Sequence, residues 1–198
     1  MEDCQQKPGA VTDLWPAFKR VVIGRRSIRS FLDKPVPRHL VAEMLEAARQ
    51  APSSGNTQPW HFYVVTNAEV RERLVGATFP GADCNSNRVQ DWVHQAPVLI
   101  VACLDWQRGA AKYNFEHRYF LGLQDVGAAI ENLLLSAEAL GLGACWVGGI
   151  RFLQVAEVLG IPPDHEPVAL IPVGYPERRP GEKRLRPPHE VVTWPDEW

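Results

Sequence analysis

The sequence predicts an α+β domain in which a mixed central sheet is flanked by helices. Segments with apolar residues at helical spacing are interspersed with short, almost wholly apolar runs that read as strands, and their mixed order argues for α+β rather than for a regular strand-and-helix repeat. The size and composition fit one such unit. The chain has 198 residues, 45% hydrophobic and 22% charged, long enough to bury a core without disulfides or metal. One domain over residues 1–198 is expected.

Residues 1–13 read as a loose N-terminal segment. Leu14, Phe18, Val21 and Val22 fall at helical spacing, and that helix ends in Gly24 before a basic cluster from Arg25 to Arg29. A second helix starts after Val36-Pro37, where proline suits the first turn, and carries Val41, Met44, Leu45 and Ala48 on one face. It stops at Ala51-Pro52. A polar loop, Ser53 to Pro59, feeds a strand-like run from His61 to Thr66. A polar helix covers Ala68 to Ala77, Thr78 to Asn87 shows no clear period, and Val98 to Leu104 reads as a fully buried strand. Asp125 can cap a long apolar helix, which Gly141-Leu142-Gly143 ends before a short strand, Ala144 to Val147, leading into Gly148-Gly149. A helix from Phe152 to Leu159 and a strand from Val168 to Val173 follow. From Tyr175 onward the chain is proline-rich and charged, an arm that needs another surface.

Several function classes are disfavoured at this level. A net charge of −2 leaves no electrostatic footprint for nucleic acid or an anionic membrane. Cys4, Cys84, Cys103 and Cys145 form no CxxC or Cys/His grouping, so free thiols in a reducing compartment are expected. No apolar stretch of the kind a signal peptide carries opens the chain. The most apolar run, Val126 to Val147, is interrupted by Glu131, Asn132 and Glu138, which makes a membrane span costly. A cytoplasmic location follows as the expectation. The histidines show no metal-ligand spacing, no Gly-x-Ser-x-Gly elbow is present, and no Gly-x-Gly-x-x-Gly follows a strand. No metal and no separate Rossmann domain are expected.

Two segments carry chemistry. Arg25-Arg26-Ser27-Ile28-Arg29, followed by Phe31, offers guanidinium groups and a hydroxyl that could seat a phosphomonoester. A solvated basic turn is the plain alternative. Pro52-Ser53-Ser54-Gly55-Asn56-Thr57-Gln58-Pro59-Trp60 offers a rigid, polar, uncharged surface suited to the heteroatom edge of a ring. An ordinary serine-capped loop explains it as well.

In order and spacing these two segments resemble the opening of the nitroreductase family of FMN enzymes. The similarity continues through Gly127 to Leu135, Gly141 to Trp146, Pro172 to Pro176, Arg184-Leu185-Arg186-Pro187 and Trp194, leaving Thr78 to Phe120 as a lid region without a clear match. The resemblance implies a three-layer sandwich and a homodimer formed through the long helix from Asp125 and an exchanged arm, residues 175–198. It implies bound FMN, with Arg25, Arg26 and Ser27 near the phosphate and ribityl chain, and Arg184 and Arg186 closing on that phosphate from the tail. Arg29 matches the basic residue held against the flavin's pyrimidine edge, where a fixed cation stabilises the reduced anion. Pro52, Ser53, Ser54 and Asn56 match the loop lent by the neighbouring subunit, and Gly148 and Gly149 the backbone lying against the isoalloxazine ring. The implied activity is ping-pong hydride transfer from NAD(P)H through flavin N5 to a nitroaromatic, quinone or similar acceptor, with no dedicated acid or base assigned. The alternatives are a reductive dehalogenase, which Lys112, Tyr113 and Glu116 suit poorly in that order, a flavin-cleaving enzyme of the same fold, or a non-catalytic flavin-binding protein.

Overall fold

The computed structural model describes residues 14–81, 85, 87–110 and 114–195. The N-terminal segment 1–13, Cys4, Cys84, Lys112 and Tyr113 lie outside the described residues.

Four strands, β1 (Trp60–Val65), β2 (Val98–Asp105), β3 (Gly143–Ala144) and β4 (His165–Gly174), form one sheet in the order β1-β2-β4-β3. All neighbouring strands pair antiparallel. Parallel pairing, expected of a mixed sheet, is confined among the described residues to the bridge between Ser27 and Ala144. β2 is buried at every position because helices cover both of its faces. Its residues alternate between the two cores, as the period of two along a strand requires. Ile100, Ala102 and Leu104 pack against helices α2 (Arg38–Arg49) and α5 (Phe115–Ala139), through Val41, Met44, Ala48, Ala129, Ile130 and Leu133. Leu99, Val101 and Cys103 face the opposite core, with Leu74 and Val75 of α3 (Ala68–Gly76) and Val155 of α6 (Phe152–Leu159). The result is the three-layer arrangement expected.

The long helix begins earlier than its apolar pattern indicates. α5 starts at Phe115, with Asn114 as its cap accepting a hydrogen bond from the His117 N–H at 3.1 Å. A short helix, α4 (Trp106–Ala110), precedes it. Asp125 is therefore not a cap: it lies inside α5, 7% exposed. Its capping chemistry resembles a start signal, and the aromatic and charged residues before it hide the first turns.

Helix α1 (Leu14–Gly24) buries none of its residues, leaving Leu14, Trp15, Phe18, Val22 and Ile23 exposed. The chain after β4 runs back over the end of this same helix. Lys183 Nζ donates to the Val22 carbonyl at 3.1 Å, and Arg179 forks onto both Glu138 oxygens at 2.8 and 3.0 Å. A short helix, α7 (Pro188–Val191), and Trp194 end the described arm in solvent. Among the described residues, no helix is long and apolar enough to cross a membrane.

Candidate active site

The basic cluster sits where α1 ends. The Arg25 N–H still donates to Val21 at 2.9 Å, but the last α1 carbonyls have no helical partners of their own. Arg26 supplies them: its Nη1 donates to Ile23, Gly24 and Arg25 carbonyls at 2.6, 3.1 and 3.1 Å, and its Nε to Gly181 at 2.8 Å. The Arg26 side chain thus closes a helix end and pins the tail. Arg25 turns to α5, its Nε 3.2 Å from Glu131.

Beyond them the chain is extended. Ile28 is fully buried, and its N–H donates to Ala144 at 3.0 Å, so Ser27 and Arg29 stand on either side of an anchor set against β3. Ser27, Arg29 and Arg25 all act on the Cys145 thiol. Burial pushes this thiol up, while Arg29, a hydrogen bond with Ser27, and Arg25 pull the other way. Arg29 also lies over the Trp92 ring, 5.7 Å from its centroid.

Lys183 joins the cluster from the tail. Loss of water around its ammonium lowers its pKa, and repulsion from Arg25 and Arg26 adds to this, against the attraction of Glu131 and Glu138. Lys183 stands just outside the Arg184-Leu185-Arg186-Pro187 motif, beside Arg184. Arg184 and Arg186 are exposed, and Arg186 pairs with Glu190 at 3.2 Å.

Gly148 and Gly149 differ in surroundings. A Cβ on Gly148 would meet nothing nearer than Trp146 Nε1 at 4.0 Å, so its backbone is open to a flat group. A Cβ on Gly149 would fall 2.4 Å from the Phe79 carbonyl oxygen, whose residue donates its N–H to Gly149 at 2.9 Å. Packing alone thus requires glycine at 149.

The Ser53–Pro59 loop attaches to α5 at another level. The Ser54 N–H bridges both Asp125 oxygens at 3.1 and 3.0 Å, and its Oγ reaches Oδ1 at 3.2 Å. Ser53 Oγ accepts from the Gln58 N–H at 2.9 Å, and Asn56 Oδ1 from Gln58 Nε2 at 3.2 Å. Gly55, Asn56 and Gln58 all have left-handed backbone, with φ of 57°, 54° and 48°. Arg108 grips the far end, donating to the Gln58 and Trp60 carbonyls at 2.9 and 3.0 Å. Pro52 is exposed at the loop's start. Asp125 and Glu131 are about 9 Å apart along the helix axis, so α5 carries the loop and the basic cluster at separate points.

A phosphorylated, ring-bearing cofactor fits these groups: guanidinium and ammonium groups with a hydroxyl for the phosphate, and bare backbone at Gly148 for the ring. The chain's relatives agree with that fit. Residues 22–175 match the model of the Nitroreductase family. A protein of Methanothermobacter thermautotrophicus, provisionally named NADH dehydrogenase/NAD(P)H nitroreductase, is 35% identical over 171 residues, covering 84% of this chain and 81% of its own. The NADPH-flavin oxidoreductase of Vibrio harveyi is 32% identical over 178 residues, covering 86% of this chain and 70% of its own. Among solved structures, the Vibrio harveyi NADPH:FMN oxidoreductase in complex with NAD+ superposes with a TM-score of 0.77 at 29% identity, covering 91% of this chain and 78% of that one. Fold, ordered motifs and relatives converge, and this chain belongs to the nitroreductase family.

Proposed function

We propose that the chain is an FMN-dependent oxidoreductase that takes electrons from NAD(P)H and passes them to a small organic acceptor such as a nitroaromatic or a quinone. The observation that carries this reading is the anchoring of Ile28, with Ser27 and Arg29 on either side, on the strand end that leads to the open backbone of Gly148, with Arg25 on Glu131 and Lys183 on Val22 at the adjoining end of α1. Relatives named as NADPH-flavin oxidoreductase and FMN reductase support the same chemistry.

The flavin, when bound, supplies the two-electron relay between nicotinamide and acceptor. Arg25 and Lys183 hold the phosphate, and Ser27 adds a hydrogen bond. Arg26 shapes the cradle through its grip on the α1 end, with Arg184 and Arg186 on the same tail beside it. Arg29 places a cation against the pyrimidine edge and favours negative charge there, which is the catalytic contribution assigned to a side chain. Gly148 and Gly149 present backbone to the ring. Pro52, Ser53, Ser54 and Asn56 reach the flavin of a neighbouring chain, so the functional unit is a homodimer with two shared sites. The bare α1 face and the apolar end of the arm, Val191, Val192 and Trp194, support that assembly and an arm exchanged between subunits. A cytoplasmic location belongs to the same proposal, and the free thiols of Cys103 and Cys145 support it.

Denaturing the purified protein and separating the released flavin tests the cofactor. FMN is the expected species, and recovery of FAD alone, or no uptake of added FMN, overturns the reading. Arg25→Ala and Lys183→Ala should each weaken FMN binding about ten- to a hundredfold, the worth of one charge-assisted hydrogen bond. Steady-state assays with NADH and NADPH against nitro, quinone, enone and halogenated acceptors then identify the acceptor class.

A further inference from the structure

The loop proposed to serve the partner's flavin is held in a shape it would not adopt alone. Left-handed backbone is disfavoured for residues with a Cβ, least so for Asn, and a non-glycine residue such as Gln keeps it only where the surroundings over-determine it. Asn56 and Gln58 both adopt it, beside Gly55. One support is Arg108, on the Gln58 and Trp60 carbonyls. Ser53 Oγ, accepting from the Gln58 N–H, is a second within the loop, and Asp125 is a third, from outside it.

Asp125 is a poor choice for a buried position inside a long helix. Aspartate has low helix propensity, and a carboxylate withdrawn from water is expensive unless its oxygens are used. Here both oxygens accept from the Ser54 N–H, and one also accepts from the Ser54 hydroxyl, across 71 residues of sequence. The carboxylate thus ties Ser54, the residue just before left-handed Gly55, to the same helix that carries Glu131, the partner of Arg25. One helix sets the position of a chain's own cationic cluster and of the loop that it presents outward.

We propose that Asp125 is a positioning residue: it fixes the Ser53–Gln58 loop in the geometry required by the flavin of the neighbouring subunit, and so controls cofactor binding in trans. This rests on the shared-site reading given above.

The test uses Asp125→Asn. Because the Ser54 N–H bridges both oxygens, the amide must turn an NH2 toward that N–H whichever way it sits, while the side-chain volume is kept. The Kd for FMN of the homodimeric variant should rise at least tenfold, with the apo dimer keeping its helical circular dichroism. Mixed dimers of Asp125→Asn with Arg25→Ala, isolated by two different tags, then separate trans from cis. In the mixed dimer one site combines an intact Arg25 with a loop held by an intact Asp125, and the other site has neither. Half of the sites should regain wild-type FMN affinity and turnover.

A wild-type Kd in the Asp125→Asn homodimer overturns the proposal, as does impaired binding with no recovery in the mixed dimer. If Asp125→Asn does not accumulate as a folded dimer, Asp125→Glu, which keeps the charge but displaces the loop by a methylene, takes both measurements with the same expected pattern and the same overturning results. A wild-type protein that binds FMN as a monomer breaks the shared-site reading itself, and is recognised by its mass before any variant is made.

Discussion

Gly148 and Gly149 stand side by side under different constraints, and that makes them separable by substitution. Ala at 149 would drive a methyl group against the Phe79 carbonyl at 2.4 Å and disturb the Phe79 N–H bond to Gly149. Overpacking of that kind costs roughly 1–3 kcal/mol, so Gly149→Ala should lower the Tm by several degrees. Ala at 148 meets only the Trp146 Nε1 at 4.0 Å, an ordinary contact, and should leave the Tm of the apoprotein unchanged while weakening FMN binding. Differential scanning fluorimetry paired with flavin titration distinguishes the two, and unchanged FMN affinity in Gly148→Ala would remove that backbone from the ring-binding surface. The same scale explains why a row of arginines is not a row of equivalents. Arg26 is occupied by carbonyls at the α1 end and by Gly181, and Arg186 by Glu190, while Arg25 keeps part of its guanidinium beyond the Nε contact with Glu131.

At the scale of elements, β2 is the strand most deeply enclosed, and one of its residues titrates. Cys103 is fully buried, and burial pushes its thiol from 9.0 up to about 12. As pH rises, the unfolded chain ionises first. The stability that comes from a neutral buried thiol is whole below about pH 9 and is lost as pH climbs through about 12. The loss approaches about 1.4 kcal/mol per pH unit for one group. Urea unfolding between pH 8 and pH 11 should therefore show a steeper decline for the wild type than for Cys103→Ala, whose neutral-pH stability is lower because of the cavity. Parallel slopes would mean that the thiol ionises alike in both states. Cys145 contributes in the same direction, its thiol also raised by burial.

For the whole molecule, the question is which surface receives a second chain. Leu134 lies on α5, the helix expected to mediate dimerisation, yet it is 4% exposed within its own core. A charge there would break the fold before it reported on assembly. α1 offers the better probe, with Phe18 52% and Ile23 58% exposed. If the proposed homodimer forms through this face, Phe18→Asp should shift the protein from dimer to monomer in light-scattering measurements without unfolding it, and the proposed shared site predicts parallel loss of FMN by linkage. A folded monomer that retains FMN and NAD(P)H oxidation would show that each chain holds its flavin unaided.

Local pattern carried much of this molecule into view. Helical spacing located α1, α2 and α6, an unbroken apolar run located β2, and the ordered Arg-Arg-Ser and Pro-Ser-Ser segments pointed to the family. Those features are written over a few neighbouring residues, where backbone sterics and the period of burial act directly. The sequence alone misplaced the start of α5, because Asp125 looks like a cap and its real use is 71 residues away on Ser54. It passed over Lys183, and it could not tell that Arg26 would close a helix end and hold Gly181, 155 residues distant. Which polar group meets which is decided by how the layers pack, since a buried charge or carbonyl takes whatever partner the tertiary fold brings within reach.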